Sequence, residues 1–212
     1  MDIDAIKSRL NQLQNTTTNS FWKPQPGKTQ IRIVPYKFNK ANPFSELFFH
    51  YSLVPNKTVL SPLSFGRPDP VQQFADKLKA SGNKDEWIQG KRIEPKMRTF
   101  APVIVRGEEN EGVKFWGFGK TVYQELLSII ADPDYGDITD PKTGRDIKVS
   151  CVKQPGRKWA MTEVRPRGKE SNLSDNSEQA SEWIGNIPSL DDIYQCKSYD
   201  ELSKIVNDWI SE

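Results

Sequence analysis

Short stretches of alternating apolar and polar residues dominate the middle of the chain, and this period of two is typical of β-strands. In residues 30–36, Ile31 and Ile33 face one way while Arg32, Val34 and Tyr36 face the other. The same reasoning predicts strands over residues 30–36, 47–54, 97–106, 112–118, 147–152 and 158–164. The last two are expected to form a hairpin across Gln154–Arg157.

Apolar residues at helical spacing predict helices over residues 2–14, 70–80 and 121–131 and at the C-terminal end. Asp69 followed by Pro70 favours a helix start, because aspartate caps helices and proline suits the first helical position. Ser198 and Glu201 form a capping box. The apolar stripe that follows it comprises Leu202, Ile205, Val206 and Trp209.

Several short strands with helices inserted between them favour a small barrel over an alternating βα sheet. We therefore expect a mainly β protein with an OB-fold core, a five-stranded Greek-key barrel, with helical insertions and C-terminal helices. The expected organisation is an N-terminal helix and linker (1–20), a core (21–170) and an acidic helical segment packed on it (171–212). The stripe in residues 2–14 can dock on its own domain or on a neighbouring molecule.

Composition argues against catalysis and metal binding. His50, Cys151 and Cys196 supply three candidate zinc ligands in all, whereas a structural zinc site takes four. The two Gly-Lys-Thr triplets lack the glycine that a phosphate-binding loop needs five residues earlier. The acids at 132, 134, 137 and 140 suggest a nuclease only weakly, because aspartates are common in turns. We expect no enzyme activity, no cofactor and no metal.

Nothing in the sequence predicts a membrane or secreted protein. No apolar run approaches the ~20 residues that cross a bilayer, and the acidic start does not resemble a signal peptide. Two cysteines do not make a disulfide framework. We expect an intracellular protein without a membrane partner.

Charge is unevenly distributed along the chain. The formal net charge is +2, but residues 1–170 hold 28 Lys or Arg against 19 Asp or Glu, and residues 171–212 hold 2 against 9. A basic body of net charge +9 favours a polyanion partner. The alternative is an ordinary acidic helical end on an unremarkable domain.

Cations and aromatic rings alternate on the predicted strands. Lys114, Trp116 and Phe118 would share one face, and pairing across Gly107–Glu111 would add neighbours from the preceding strand. The predicted binding face then contains Arg98, Phe100, Arg106, Lys114, Trp116 and Phe118, and Arg32 and Tyr36 repeat the pairing of cation and ring. Such a surface suits single-stranded nucleic acid, whose bases stack on rings. The alternative is that the rings are core and the cations reach past them to solvent.

A second basic cluster follows the last predicted strand, with Lys158, Arg165, Arg167 and Lys169. It adds Arg165 and Arg167 to the candidate nucleic-acid contacts. A solvated charged edge is an equally good interpretation of these four residues.

The stretch Phe21–Pro35, with Phe-Trp-Lys-Pro, Gly-Lys and Ile-Arg-Ile-Val-Pro, resembles the entry strand of a phage protein family. The family is the single-stranded DNA-binding, helix-destabilising protein of T-even-type bacteriophages. His50 falls where this family has a zinc-ligating histidine, and Asp69–Gln72 resembles its Cys-Pro-Val-Cys. Lys96–Val105 resembles its basic-aromatic strand, and Lys114–Lys120 resembles its Phe-x-Tyr-x-Phe-Gly-Lys segment.

The resemblance covers most of residues 21–210 and implies an OB-fold that binds single-stranded DNA cooperatively and without sequence preference. It implies roles in phage DNA replication, recombination and repair, in the cytoplasm of the infected host. The implied partners are single-stranded DNA, neighbouring copies of the protein, and phage replication and recombination proteins. By position, Phe100 and Trp116 match stacking rings, and Lys96, Arg98 and Lys120 match the basic lining.

The chain departs from this family at the zinc site. Asp69 and Gln72 stand where the family has cysteines, and the stretch Leu60–Ser64 offers no third one. We therefore predict a form without zinc, in which packing holds this region. The N-terminal basic segment through which members of this family contact their neighbours is weak here, with only Lys7 and Arg9. Two alternatives remain: an RNA-binding module of the same fold, and an assembly protein whose aromatic face meets another protein.

Overall fold

The computed structural model describes residues 20–39, 42–55, 57–156 and 160–211. The predicted helix over residues 2–14, the linker before Ser20 and Lys158 lie outside these residues. The strands are β1 (Phe21–Trp22), β2 (Gly27–Ile33), β3 (Ser45–Val54), β4 (Lys57–Leu60), β5 (Lys96–Val105), β6 (Lys114–Phe118), β7 (Ile147–Val152) and β8 (Met161–Pro166). The helices are α1 (Pro70–Ala80), α2 (Lys84–Ile93), α3 (Lys120–Ala131), α4 (Ser177–Gly185), α5 (Leu190–Ile193) and α6 (Tyr199–Ser211).

The fold is mixed α/β with a large multi-stranded sheet, and the chain divides into two compact units. The first unit comprises the described residues up to Ser45 together with Thr99–Ile187. The second comprises Glu46–Arg98 together with the described residues from Pro188 onward. This division differs from the single core predicted over residues 21–170, because residues 46–98 group with the C-terminal helices.

In the first unit the strands follow the order β1-β6-β5-β2-β7-β8, with β1 parallel to β6 and the other pairs antiparallel. Apolar residues of β2, β5 and β7, such as Ile33, Val103 and Val149, are buried. Helix α3 contacts β8, and the Glu125 carboxylate accepts a hydrogen bond of 3.1 Å from the Val164 N–H. That contact covers part of an edge strand, which would otherwise present unpaired backbone groups.

In the second unit, β3 and β4 form an antiparallel pair, and helices α1, α2 and α6 provide much of the core. The predicted capping box of α6 is confirmed, because Ser198 and Glu201 exchange hydrogen bonds. The predicted stripe of α6 also packs inward, with Leu202 and Val206 buried in one apolar cluster. The other buried members of this cluster are Leu53, Val59, Val71, Ala75 and Ile93.

Helix α2 was missed at the sequence level because its apolar residues do not form an inward stripe. Trp87 and Ile88 are both exposed, and Gly90 faces α1. A Cβ atom on Gly90 would lie 2.7 Å from the Ala75 carbonyl oxygen, so the glycine permits a close helix-to-helix approach. The available signal was the Asn83 N-cap, whose side chain accepts from two backbone N–H groups.

Within the described residues, no helix is both long and apolar enough to cross a membrane.

Candidate nucleic-acid interface

The predicted face shared by Phe100, Trp116 and Phe118 is wrong, because strands β5 and β6 pair in a different register. Phe100 lies opposite Gly117, and Ala101 lies opposite Trp116. Directly opposite residues of an antiparallel pair point to the same side. Phe100 and Trp116 therefore point to opposite faces of the sheet. A shift of one residue is enough to exchange the faces of a strand.

The rings predicted to stack on bases are core residues in this structure. Their exposed fractions are 4% for Phe100, 1% for Trp116, 3% for Phe118 and 6% for Tyr36. Phe100 meets Phe21 edge to face with centroids 6.0 Å apart, and Trp116 meets Trp22 in the same way at 5.6 Å. Edge-to-face pairs of this kind stabilise a core. None of the four rings offers a free face to a base without rearrangement.

Two of the predicted cations hold the first unit together. The Arg32 side chain is fully buried, and it donates hydrogen bonds to the Asp140 carbonyl and the Ser171 hydroxyl. Arg106 donates to the Asp146 carboxylate at 2.9 Å and to the Leu173 carbonyl. Burial lowers the pKa of Arg32, the Asp146 charge opposes that effect, and the Arg106 charge adds to it. The hydrogen bonds of these two cations connect loops to the sheet, and they occupy the guanidinium groups that a polyanion would need to contact.

A third predicted cation, Lys114, is also unavailable. Its side chain is 10% exposed and pairs with the Glu111 carboxylate three residues earlier. The side chain points to the same side of the sheet as its opposite residue, Val103. Lys114 therefore contributes to the β5–β6 connection rather than to an open surface.

Five of the predicted cations are exposed: Lys96, Arg98, Lys120, Arg165 and Arg167. Arg165 is the most informative, because the structure places it directly opposite Lys148 on the neighbouring strand. Lys148 lies in turn opposite Gln30 on β2, and Lys28 lies two residues from Gln30 on the same face. We call the exposed surface formed by Lys28, Lys148 and Arg165 the basic face.

The basic face is the solvent side of a three-stranded region. Along β7, Ile147, Val149 and Cys151 are buried, whereas Lys148 and Val152 are exposed. Like charges placed directly opposite each other destabilise a strand pair. Within the described residues, no ion pair includes Lys28, Lys148 or Arg165. The exposed Glu163 lies on the same face, opposite Ser150, but forms no ion pair with these cations among the described residues. The two opposed cations, Lys148 and Arg165, are therefore open to an external anion.

In the second unit, strand β5 carries the exposed cations Lys96 and Arg98, and it pairs with β3, the strand that contains Tyr51. Burial raises the pKa of Tyr51, and the Arg98 charge opposes that effect. Burial raises the pKa of Tyr194 to about 12, the nearby Tyr51 adds to the effect, and Arg98 again opposes it. The Arg98 charge therefore acts on both phenols, which puts cations and aromatic rings together in this unit.

The positions that resemble a zinc site form a buried hydrogen-bond network. The two ring nitrogens of His50 lie 2.7 Å from the Ile93 carbonyl oxygen and 2.9 Å from the Asp69 carboxylate. The Ser61 hydroxyl donates to the same Asp69 oxygen, and the other Asp69 oxygen accepts from the Val71 N–H. Since both nitrogens of His50 are engaged, these residues do not fit a zinc ion.

The apolar cluster packs this region as expected, and the hydrogen-bond network adds to that packing. Burial opposes ionisation of Asp69, but hydrogen bonds from His50 and Ser61 outweigh it and lower the pKa of that carboxyl. Ser61 lies in the stretch Leu60–Ser64, which was expected to offer no third zinc-ligating cysteine. Over the part of the chain that the structure describes, no group of three or more His, Cys, Asp or Glu residues could hold a metal ion.

Comparison with known proteins adds no family to this picture. No protein-family model matches the chain, and no curated protein matches it. The functional interpretation therefore depends on the residues described above.

Proposed function

We propose that this protein binds single-stranded DNA without sequence preference, and that the basic face contacts the phosphates. The observation that carries the proposal is the exposed pair Lys148 and Arg165, two cations directly opposite each other without an acidic partner among the described residues. Phosphate contacts position a nucleic acid but carry no sequence information, so binding through such contacts is sequence-independent.

The resemblance to the phage helix-destabilising proteins supports the choice of single-stranded DNA. The proposal includes their OB-fold, with which the β-rich first unit and its helix α3, between β6 and β7, are compatible. It also includes their setting: the protein coats and protects unpaired DNA during phage replication, recombination and repair in the infected cell. Further copies of the chain and phage replication proteins are the proposed protein partners.

The experiment is an anisotropy titration of a labelled thymine oligonucleotide, with a duplex and a matched ribo-oligomer as competitors. We expect Lys148→Ala/Arg165→Ala to weaken binding of the single strand, because two phosphate contacts are lost. The control Lys77→Ala/Lys84→Ala removes two exposed cations of helices α1 and α2 and is expected to bind normally.

The competitors and the two double variants distinguish the proposal from its alternatives. Equal or tighter binding of the ribo-oligomer would favour an RNA-binding module, since the distinction depends on the 2′-hydroxyl. No binding of any oligonucleotide would contradict the proposal and favour an assembly protein. Equal losses in the two double variants would show that the basic face has no special part in binding.

A further inference from the structure

Tyr51 of β3 is a half-exposed ring that lies against a buried aromatic ring. Its side chain is 42% exposed, and its centroid lies 6.3 Å from that of Phe49, which is 3% exposed. Phe49 also meets Tyr194 edge to face at 5.2 Å. Because Phe49 is buried, the Tyr51 ring lies against a neighbour that is itself fixed by packing.

The local backbone explains why this ring points outward. The pairing of β3 with β4 shifts register between His50 and Val54, and Tyr51 lies within that irregular stretch. Such irregularities re-aim a side chain next to functional sites. His50, immediately before the tyrosine, is fully buried in the Asp69 network, and Phe49 and Leu53 are buried as well, so Tyr51 is an exposed residue between buried neighbours.

The strand that pairs with β3 carries two exposed cations. This strand is β5, and Lys96 and Arg98 lie two residues apart on the same face of it. The Arg98 charge also acts on the phenol of Tyr51. A half-exposed ring on a strand whose neighbour carries exposed cations matches what an unpaired nucleotide offers, a flat base joined to a phosphate.

Other exposed rings are less suitable. A lysine ammonium of the chain itself lies over Phe38 at 5.1 Å and over Trp87 at 5.7 Å, so each ring face already has a cation contact. The Tyr199 hydroxyl donates a hydrogen bond to the Gln73 side chain. The rings that the sequence suggested, Phe100 and Trp116, are core residues.

We infer that Tyr51 stacks on a base of single-stranded DNA, with Lys96 and Arg98 contacting the adjoining phosphates. The second unit then contributes a base-contacting site of its own, beyond the phosphate contacts of the basic face. This inference rests on the proposed function, because it requires that the protein bind single-stranded nucleic acid.

The test compares Tyr51→Ala, Tyr51→Phe and the matched control Tyr199→Ala, whose tyrosine is 45% exposed in the same unit. Each is titrated with a thymine oligomer and with an abasic oligomer of equal length and charge. We expect Tyr51→Ala to bind the thymine oligomer about 5- to 150-fold more weakly, the range for loss of one stacked base. The abasic oligomer should bind all four proteins alike, and Tyr51→Phe and Tyr199→Ala should behave as the wild type.

Two outcomes would overturn the inference while leaving the proposed function intact. One is wild-type affinity of Tyr51→Ala for the thymine oligomer. The other is an equal loss on both oligomers, which would indicate a structural effect rather than stacking. Failure of the wild-type protein to bind either oligomer would overturn the proposed function and this inference together.

Discussion

Replacing Asp69 with alanine tests the buried network that stands where the family resemblance implied zinc. The side chain caps α1 by accepting from the Val71 and Gln72 N–H groups, and it also accepts from His50 and Ser61. Loss of an N-cap costs about 0.5–2 kcal/mol. Each buried partner left unsatisfied costs about 1–3 kcal/mol. The variant should therefore lose about 3–8 kcal/mol of stability, a large share of a typical ~5–15 kcal/mol.

The matched control is Asn83→Ala. Asn83 caps α2 by accepting from the Asp85 and Glu86 N–H groups, but it is exposed and has no buried partners in the network. Its loss should cost about 1 kcal/mol. The difference between the two variants, about 2–6 kcal/mol, isolates the contacts to His50 and Ser61.

Hydrogen exchange of peptides from α1 and α6 is the suitable assay, because it reports opening of the second unit separately from the first. Asp69→Ala should lower the opening free energy of both peptides, while peptides from β2 and β7 keep theirs. Equal losses for Asp69→Ala and Asn83→Ala would refute the reasoning, because they would show that the buried contacts add nothing beyond the cap.

Two further predictions follow from the structure. The pKa of Asp69 is lowered from 3.8, so its stabilising contribution is present above that value and is lost as pH falls through the folded-state pKa. The free energies of unfolding of the wild type and Asp69→Ala, measured in urea along an acid series, should therefore converge at the acid end. Gly144→Ala should destabilise the first unit by about 1–3 kcal/mol, because its Cβ would lie 2.5 Å from the Asp140 carbonyl oxygen. The control Gly119→Ala places its Cβ in open space, so thermal unfolding should show little loss of stability for it.

The elements that sequence analysis predicted well are those specified locally. The strand over 47–54 and the helix from Pro70 to Ala80 agree with the structure to within about two residues at each end. Alternation defines the strand, and Asp69 with Pro70 defines the helix start. Such signals need no information from distant parts of the chain.

The binding surface was harder to predict because it depends on strand register. A hairpin with the turn Gln154–Arg157 would place Lys148 opposite Glu163, an ion pair. The structure instead places Lys148 opposite Arg165 and Glu163 opposite Ser150. A shift of two residues keeps the faces but changes every partner. Lys148 was therefore missed, although its place between Ile147 and Val149 marked it as outward-facing. Lys28 lies before the predicted strand over residues 30–36 and carries no such signal.

The buried cations depend on contacts distant in sequence. Arg32 was expected on a binding surface because it alternates with Ile31 and Ile33. It is buried by Asp140 and Ser171, which are more than 100 residues away along the chain. Nothing in the local pattern shows that a loop will cover one end of an otherwise exposed strand face.

The salt dependence of single-strand binding tests the central claim most directly. For single strands, the logarithm of affinity falls with the logarithm of salt concentration with a slope of about −0.7 per phosphate contact. Lys148→Ala/Arg165→Ala should therefore reduce the steepness of the slope by about 1.4 relative to the wild type, while Lys77→Ala/Lys84→Ala should leave it unchanged. An unchanged slope in the first variant would show that the basic face does not contact phosphates.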